Sequence, residues 1–424
     1  MSVSDLAIVA ALVFGWGTVS AKLERFDVTA PITFVLAGLL LTHGPLAFLA
    51  VEPSTHLIKE LAEFTLVLIL FSDASRVGLH ELRSDAGLYL RLLGIALPLT
   101  IGLGTLLALA LTGTGDIWLA LLVGAALAPT DAALGAGMMA NPALPARIRR
   151  VINVESGLND GIATPFVSVA LAGAASGTGV AGHGPAAAAA ELALGVLIGV
   201  AVGGAGGLLV SVARRRGWAA EGFIGSAGLG LAVCAYASAL ALHGNGFIAA
   251  FAGGLAFGTT SGRRGRPLVP FVEETGALVS LLVWLTFGAV AVVPAVEGLN
   301  WQIVLYAVLS LTVVRMAPVA AALAGARLGR ATVALLGWFG PRGLASVVFA
   351  LLALEELGSR SAGRAVGVIT ITVLLSVIIH GATAEPLAVR YARQLARSPE
   401  ADAPAGLSDI PDRRLIRGAA TPDR

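Results

Sequence analysis

Charge is scarce in this chain. Only 13% of its 424 residues are Asp, Glu, Lys or Arg, against roughly 25% in soluble domains. A soluble protein of this length has too much surface to be covered so sparsely. With 57% hydrophobic residues and a mean hydropathy of +0.87, the chain reads as a polytopic membrane protein. Cysteine is nearly missing too: Cys234 stands alone. That excludes an intramolecular disulfide and a cysteine-based metal site, and leaves Cys234 as a small packing residue in a helix. The glycine-rich runs hold no P-loop, and neither His-Glu-x-x-His nor Gly-x-Ser-x-Gly occurs. Nothing therefore points to a nucleotide, a nucleic acid or a bound cofactor. No basic stretch or cleavage site accompanies the first apolar run, so it is expected to be a retained helix.

What is present is a series of apolar runs about 20 residues long, the length of a membrane helix rather than of a barrel strand. About thirteen spans follow: 5–21, 30–50, 57–74, 87–112, 116–140, 149–173, 187–212, 222–242, 246–261, 273–294, 300–324, 331–354 and 365–388. The loops give an independent check. Basic residues follow the odd-numbered spans: Lys22 and Arg25, Arg76 and Arg83, Arg147 to Arg150, Arg214 to Arg216, Arg263 to Arg266, Arg327 and Arg330, then Arg390, Arg393 and Arg397. Acidic or neutral loops follow the even-numbered ones, with Glu52, Asp116, Asn245, Glu297, Glu355 and Glu356; Arg360 and Arg364 run against the trend. By the positive-inside rule the amino terminus is outside and the carboxyl terminus cytoplasmic, the membrane expected being the cell's inner (plasma) membrane. Residues 398–424 lack an apolar period and read as a disordered cytoplasmic tail. Corresponding spans in the two halves are seven apart, an odd offset, so two six-helix repeats would be inverted relative to each other.

Against this background one stretch is anomalous: Asn153-Val154-Glu155-Ser156-Gly157-Leu158-Asn159-Asp160-Gly161-Ile162. Ionisable groups inside a bilayer are costly and are functional candidates by default. Helical rise puts Asp160 roughly 16 Å past Arg149, about half of a ~30 Å hydrocarbon core. The same arithmetic puts Asp131 roughly 22 Å from Asp116, and Arg315 and Arg342 each roughly 18 Å from Arg327 and Arg330. Two carboxylates and two arginines from four spans thus share the middle of the membrane. Glu155 and Asn159 are four apart and share a face. Asp160 can hold a small cation or a proton, and that competition is what an exchanger needs. Glu155 is read as a structural partner for an arginine.

Two spans are broken at similar depth. Ala128-Pro129-Thr130-Asp131 interrupts the fifth, and Gly340-Pro341-Arg342-Gly343 the twelfth. Proline removes a backbone donor, and non-helical backbone at this depth survives only inside protein or beside a watery cavity. Freed carbonyls and the Thr130 hydroxyl could ligate a cation, and the half-helix ends carry partial charges that Asp131 and Arg342 could neutralise. Paired broken helices in corresponding positions are the best sequence pointer to a transporter site. The expected fold is all-α, with two broken helices crossing at mid-membrane.

At these residues the chain resembles the monovalent cation:proton antiporter-1 family, the NhaP-like bacterial relatives of the animal sodium/proton exchangers. Glu155-Ser156-Gly157-Leu158-Asn159-Asp160 matches the family's Glu-Ser-x-x-Asn-Asp motif, Thr130-Asp131 its unwound Thr-Asp segment, and Gly340-Pro341-Arg342-Gly343 its Gly-x-Arg-Gly segment. One departure is that Pro129 precedes the Thr-Asp pair, where the family commonly has proline after it. The resemblance implies that Asp160 binds the ion and the proton. It puts Thr130, Ser156 and Asp131 in or near the shell of a monovalent cation, with Asn159 in support. Arg315 would pair with Glu155 and Arg342 lie near Asp131, or the two pairings be exchanged. It further implies one-for-one electroneutral exchange of Na+ (K+ or Li+ being alternatives) for H+, and a homodimer. The antiporter domain would be residues 1–397, with a dimerisation bundle over about 5–74 and 187–294 and an ion-transporting core bundle over about 87–173 and 300–388. The expectation is a transporter and not an enzyme. A membrane-embedded acid/base enzyme lacks a motif here, and a channel would favour a ring of like charges.

Other features have plainer expectations. Gly199, Gly203 and Gly207, spaced by four, suit close helix packing. Asp73 with Arg76 suits a helix-end pair, Glu273 a helix amino end, and His380 a hydrogen-bonded interior position.

Overall fold

Apolar runs bounded by capping residues dictate helices, and helices are what form. The computed structural model describes residues 3–24, 28–43, 55–77, 85–113, 115–135, 138–139, 144–177 and 185–396, and no strand occurs among them. Chain order begins with α1 (Val3–Leu23), α2 (Ala30–His43) and α3 (Thr55–Arg76). Next come α4 (Ala86–Leu111), with a π turn at Leu92–Ala96, and the short α5 (Ile117–Ala126). Then follow α6 (Ala146–Gly177), α7 (Pro185–Arg215), α8 (Glu221–Ala241), α9 (Gly246–Ser261) and α10 (Val269–Val290). The last part holds α11 (Val292–Glu297), α12 (Trp301–Ala322), α13 (Arg330–Trp338) and α14 (Leu344–Ala396). Among the described residues seven helices are long and apolar enough to cross a membrane, with α2, α5 and α9 as shorter apolar helices. The chain is a multi-pass membrane protein.

Helix starts follow the local chemistry. Asp116 accepts from the Trp118 backbone N–H at 2.8 Å and opens α5. Asn245 does the same for α9 through Ile248, and Asn300 for α12 through Gln302 and Ile303, each at 3.0 Å. Such a cap is worth about 1 kcal/mol. The run expected over 331–354 begins as α13 and continues into the first part of α14, and Gly358, whose φ of 74° and ψ of 158° are not helical, separates it from the part of α14 that carries the 365–388 run. Glycine tolerates this left-handed value without steric cost.

Small residues set the closest approaches. Gly199, Gly203 and Gly207 of α7 face Ala249, Gly253 and Thr260 of α9. A Cβ at Gly199 would lie 2.8 Å from the Ala249 Cα, so the seam serves helix packing within the chain. Cys234 corrects an expectation: it is exposed on α8, its Sγ 3.8 Å from the Ser238 hydroxyl, and does not pack inside. Arg76 reaches across to Glu273 of α10, so that glutamate serves an ion pair besides its helix start. The core includes both interrupted helices: Ala120, Ala125 and Ala126 of α5 and Val347, Val348 and Ala350 of α14 are fully buried. The expected tail, the loop over 178–184, Glu52, Arg25 and Arg83 lie outside the described residues.

Candidate ion site at two interrupted helices

α5 stops at Ala126, three residues before Pro129, and a 3₁₀ turn resumes at Ala132–Gly135. α13 stops at Trp338 and α14 begins at Leu344. The two non-helical segments meet. Asp131 N–H donates to the Pro341 carbonyl at 2.8 Å, binding one break to the other through the backbone. Backbone left unpaired by an interruption must find partners elsewhere, and each break supplies what the other lacks.

The exchange is also electrostatic. The Asp131 carboxylate accepts from Leu344 N–H at 3.4 Å, at the positive amino end of α14. Arg342 donates to the carbonyls of Ala128 at 2.6 Å and Pro129 at 3.3 Å, beyond the negative carboxyl end of α5, and to Ser310 at 3.4 Å. Gly343 has no side chain because the Asp131 side chain occupies the space a Cβ would take.

α6 passes this crossing and carries the polar stretch. Asn159 Nδ2 donates to the Thr130 hydroxyl at 2.7 Å, and the Thr130 and Ser156 hydroxyls share a hydrogen bond of 3.2 Å. Thr130, Ser156 and Asn159 are all buried. The Asn159 amide oxygen is buried with no hydrogen-bond partner among the described residues, an acceptor of the kind a cation or a proton donor would satisfy. Asp160 is half-buried, next to Asn159 and four residues past Ser156, so the helix turns its carboxylate toward the Ser156 face. The oxygens of this cluster, the Thr130 and Ser156 hydroxyls and the Asn159 amide, are hard ligands that suit alkali cations. Among the described residues no three His, Cys, Asp or Glu side chains cluster as a metal site.

The remaining charges are matched. Arg315 Nη2 donates to Glu155 Oε1 at 2.6 Å, with both side chains almost wholly buried. Of the two arginine pairings open from the sequence, Arg315 with Glu155 is realised; Arg342 serves the carbonyls of the α5 break. Gly340 leaves room for this: a Cβ there would sit 2.8 Å from Arg315 Nε.

Several supports escaped the sequence reading. Ser346 donates to the Ala126 carbonyl at 2.6 Å, closing the end of α5 from another helix. Ser376 accepts from Arg342 N–H at 2.7 Å and neighbours His380, which is buried and bonds Trp338 through Nε2 at 3.1 Å. Hydroxyls inside spans usually bond their own preceding turn, as Thr372 and Thr383 do. Nothing in the sequence separates Ser346 and Ser376 from those. Asp73 of α3, expected from the sequence only at a helix end, is buried against Gly157, beside the site helix.

Comparison with known proteins agrees with this fold. The solved structure of the sodium proton antiporter MjNhaP1 from Methanocaldococcus jannaschii at pH 8 superposes with a TM-score of 0.75, covering 91% of this chain and 98% of that one. An electron-microscopy map of the same antiporter gives 0.71, covering 92% and 98%. At 18% identity this likeness is one of fold. Uncharacterised Na+/H+ exchangers of Mycobacterium tuberculosis and Mycobacterium bovis are 33% identical over 216 residues, half of this chain and 36% of their own length. The chain thus covers little more than a third of those curated relatives. The transmembrane sodium/hydrogen exchanger family model matches residues 8–390. On that match the chain belongs to the sodium/hydrogen exchanger family.

Proposed function

We propose that this protein is a secondary antiporter that exchanges a monovalent cation, Na+ foremost with K+ and Li+ as alternatives, for H+. The observation that carries the reading is the oxygen cluster of Thr130, Ser156 and Asn159 at the meeting of two helix interruptions, beside Asp160. In this reading Asp160 takes either the cation or the proton. Thr130 and Ser156 complete the cation's shell, Asn159 orients them, and Asp131 holds the α14 start. Glu155 with Arg315, and Arg342 with the α5 carbonyls, keep the site's frame neutral. One site carboxylate exchanging one charge for one charge makes the cycle electroneutral.

Alternating access follows from the same division of labour. α4 to α6 with α12 to α14 form the ion-transporting core bundle, and α1 to α3 with α7 to α10 the bundle against which it moves and through which two copies pair as a homodimer. The protein works in the cell's inner membrane with its amino terminus outside and its carboxyl terminus in the cytoplasm, the orientation supported by the alternating basic loops.

The test is exchange in everted vesicles with a pH-sensitive dye. Adding Na+ is expected to produce a proton signal that survives collapse of the membrane potential. A signal that vanishes with the potential would instead mean uncoupled conduction, and no signal with any alkali cation would remove the reading.

A further inference from the structure

The carboxyl ends of α7 and α9 enclose an open cleft of about 650 Å³, far along the chain from Asp160. Its walls include Leu208, Ser211, Arg214, Arg215, Thr260 and Arg264. The sequence singles out the arginines only as loop charge, and the exchange reading makes no use of them.

Three observations distinguish this cleft from a solvated basic loop. First, the charge is in excess. Arg214 Nη2 pairs with Glu221 at 3.2 Å, but Glu221 is 78% exposed, and no ion pair to Arg215 or Arg264 occurs among the described residues. Two helix carboxyl ends contribute about half a negative charge each, so three guanidinium groups against Glu221 and those ends leave the cleft positive. Second, Arg214 Nη1 is buried and has no hydrogen-bond partner among the described residues. A buried guanidinium N–H without an acceptor is costly, and phosphate oxygens are acceptors that guanidinium groups pair with well. Third, the cleft opens beside an apolar surface. Leu208 and Leu209 are 59% and 65% exposed one to two turns below the arginines on α7. Trp218, exposed just past them, lies under Arg216 at 4.8 Å from its ring centre, an arrangement typical of the membrane–water boundary.

Phosphate-matching charge directly above exposed leucines is the pattern of a lipid rather than of a soluble anion. Basic pockets between membrane helices bind anionic headgroups. The hydroxyls do not add selectivity, because Ser211 donates to the Ser261 carbonyl at 3.3 Å and Thr260 to the Ala256 carbonyl at 2.8 Å. We propose that the α7–α9 cleft binds the phosphate headgroup of an anionic phospholipid through Arg214, Arg215 and Arg264, with its acyl chains along Leu208 and Leu209. Bound there, the lipid would fasten the end of the glycine seam that holds α7 against α9.

The full chain in detergent, titrated with phosphatidylglycerol and followed by melting temperature, tests this. The expected result is a saturable rise that phosphatidylcholine does not give, and an Arg214→Gln/Arg264→Gln variant that needs about tenfold or more lipid for half-saturation. A control pair at another basic loop, Arg327→Gln/Arg330→Gln, is expected to respond as the unsubstituted protein does. Equal stabilisation by inorganic phosphate would overturn the lipid assignment. So would an equal response to phosphatidylcholine, an undiminished response in the α7–α9 variant, or an equal loss in the control pair. If the α7–α9 variant does not fold, native mass spectrometry of the unsubstituted protein decides. Preferential retention of phosphatidylglycerol over phosphatidylcholine supports the site, and equal retention overturns it. None of these readouts involves transport, so the outcome is independent of the exchange reading.

Discussion

Arg342 and Ala128 are held at 2.6 Å, guanidinium to carbonyl, so the arginine of one interrupted helix seals the open end of the other. Removing it leaves the Ala128 and Pro129 carbonyls buried without that donor. Arg342→Ala is expected to lower stability by about 3 kcal/mol, since each unsatisfied buried group costs about 1–3 kcal/mol. Arg342→Lys should recover only part, because one ammonium cannot span the acceptors that the guanidinium fork reaches. Melting temperatures in detergent check this, and an unchanged value for Arg342→Ala would mean the carbonyls have other partners.

The Glu155–Arg315 pair predicts non-additivity between single and double substitutions. Breaking a buried pair from one side strands a charge and costs about 3–5 kcal/mol. Arg315→Met and Glu155→Leu should each be strongly destabilising, and the double variant markedly less so than their sum. Arg315→Ala should correspondingly harm folding more than ion affinity. An additive cycle would show that the two side chains are not energetically coupled.

Asp160→Asn should abolish the cation-triggered proton signal while leaving the melting temperature close to that of the unsubstituted protein. The amide keeps the shape but can neither hold a proton nor balance a cation. Thr130→Ala should keep exchange but weaken it, raising the cation concentration for half-maximal signal by about tenfold, the equivalent of one lost hydrogen bond of about 1.4 kcal/mol. Full exchange by Asp160→Asn would displace the site from α6.

Gly161 tests the boundary between α6 and α9. A Cβ there would collide with the Phe251 ring. Gly161→Ala should therefore cost about 1–3 kcal/mol through overpacking, and Phe251→Leu in the same chain should restore much of it. Failure of that rescue, with both single variants folded, would place the clash elsewhere.

Helix positions were legible because membrane helices declare themselves through length and hydropathy. The run expected over 246–261 is α9 to the residue, and 149–173 and 222–242 match α6 and α8 within a few residues. The breaks were visible for a local reason: proline and glycine beside ionised side chains at half depth have no stable place in an unbroken helix. The chemistry of Ser346 and Ser376 was not legible, because their partners, Ala126 and Arg342, lie on other segments and the local sequence around them is ordinary. Cys234 failed in the same way, since burial depends on which face of α8 meets a neighbour.

Read without coordinates, the chain already specifies a many-helix membrane protein with charge stranded at half depth and two interrupted spans, because hydropathy and backbone chemistry are local properties. Which arginine serves which acceptor is not local. Glu155 and Arg315 are 160 residues apart, and Arg342 and Ala128 are 214 apart. Only the packed bundle brings those groups within bonding distance, and a buried charge takes the partner that the fold delivers to it.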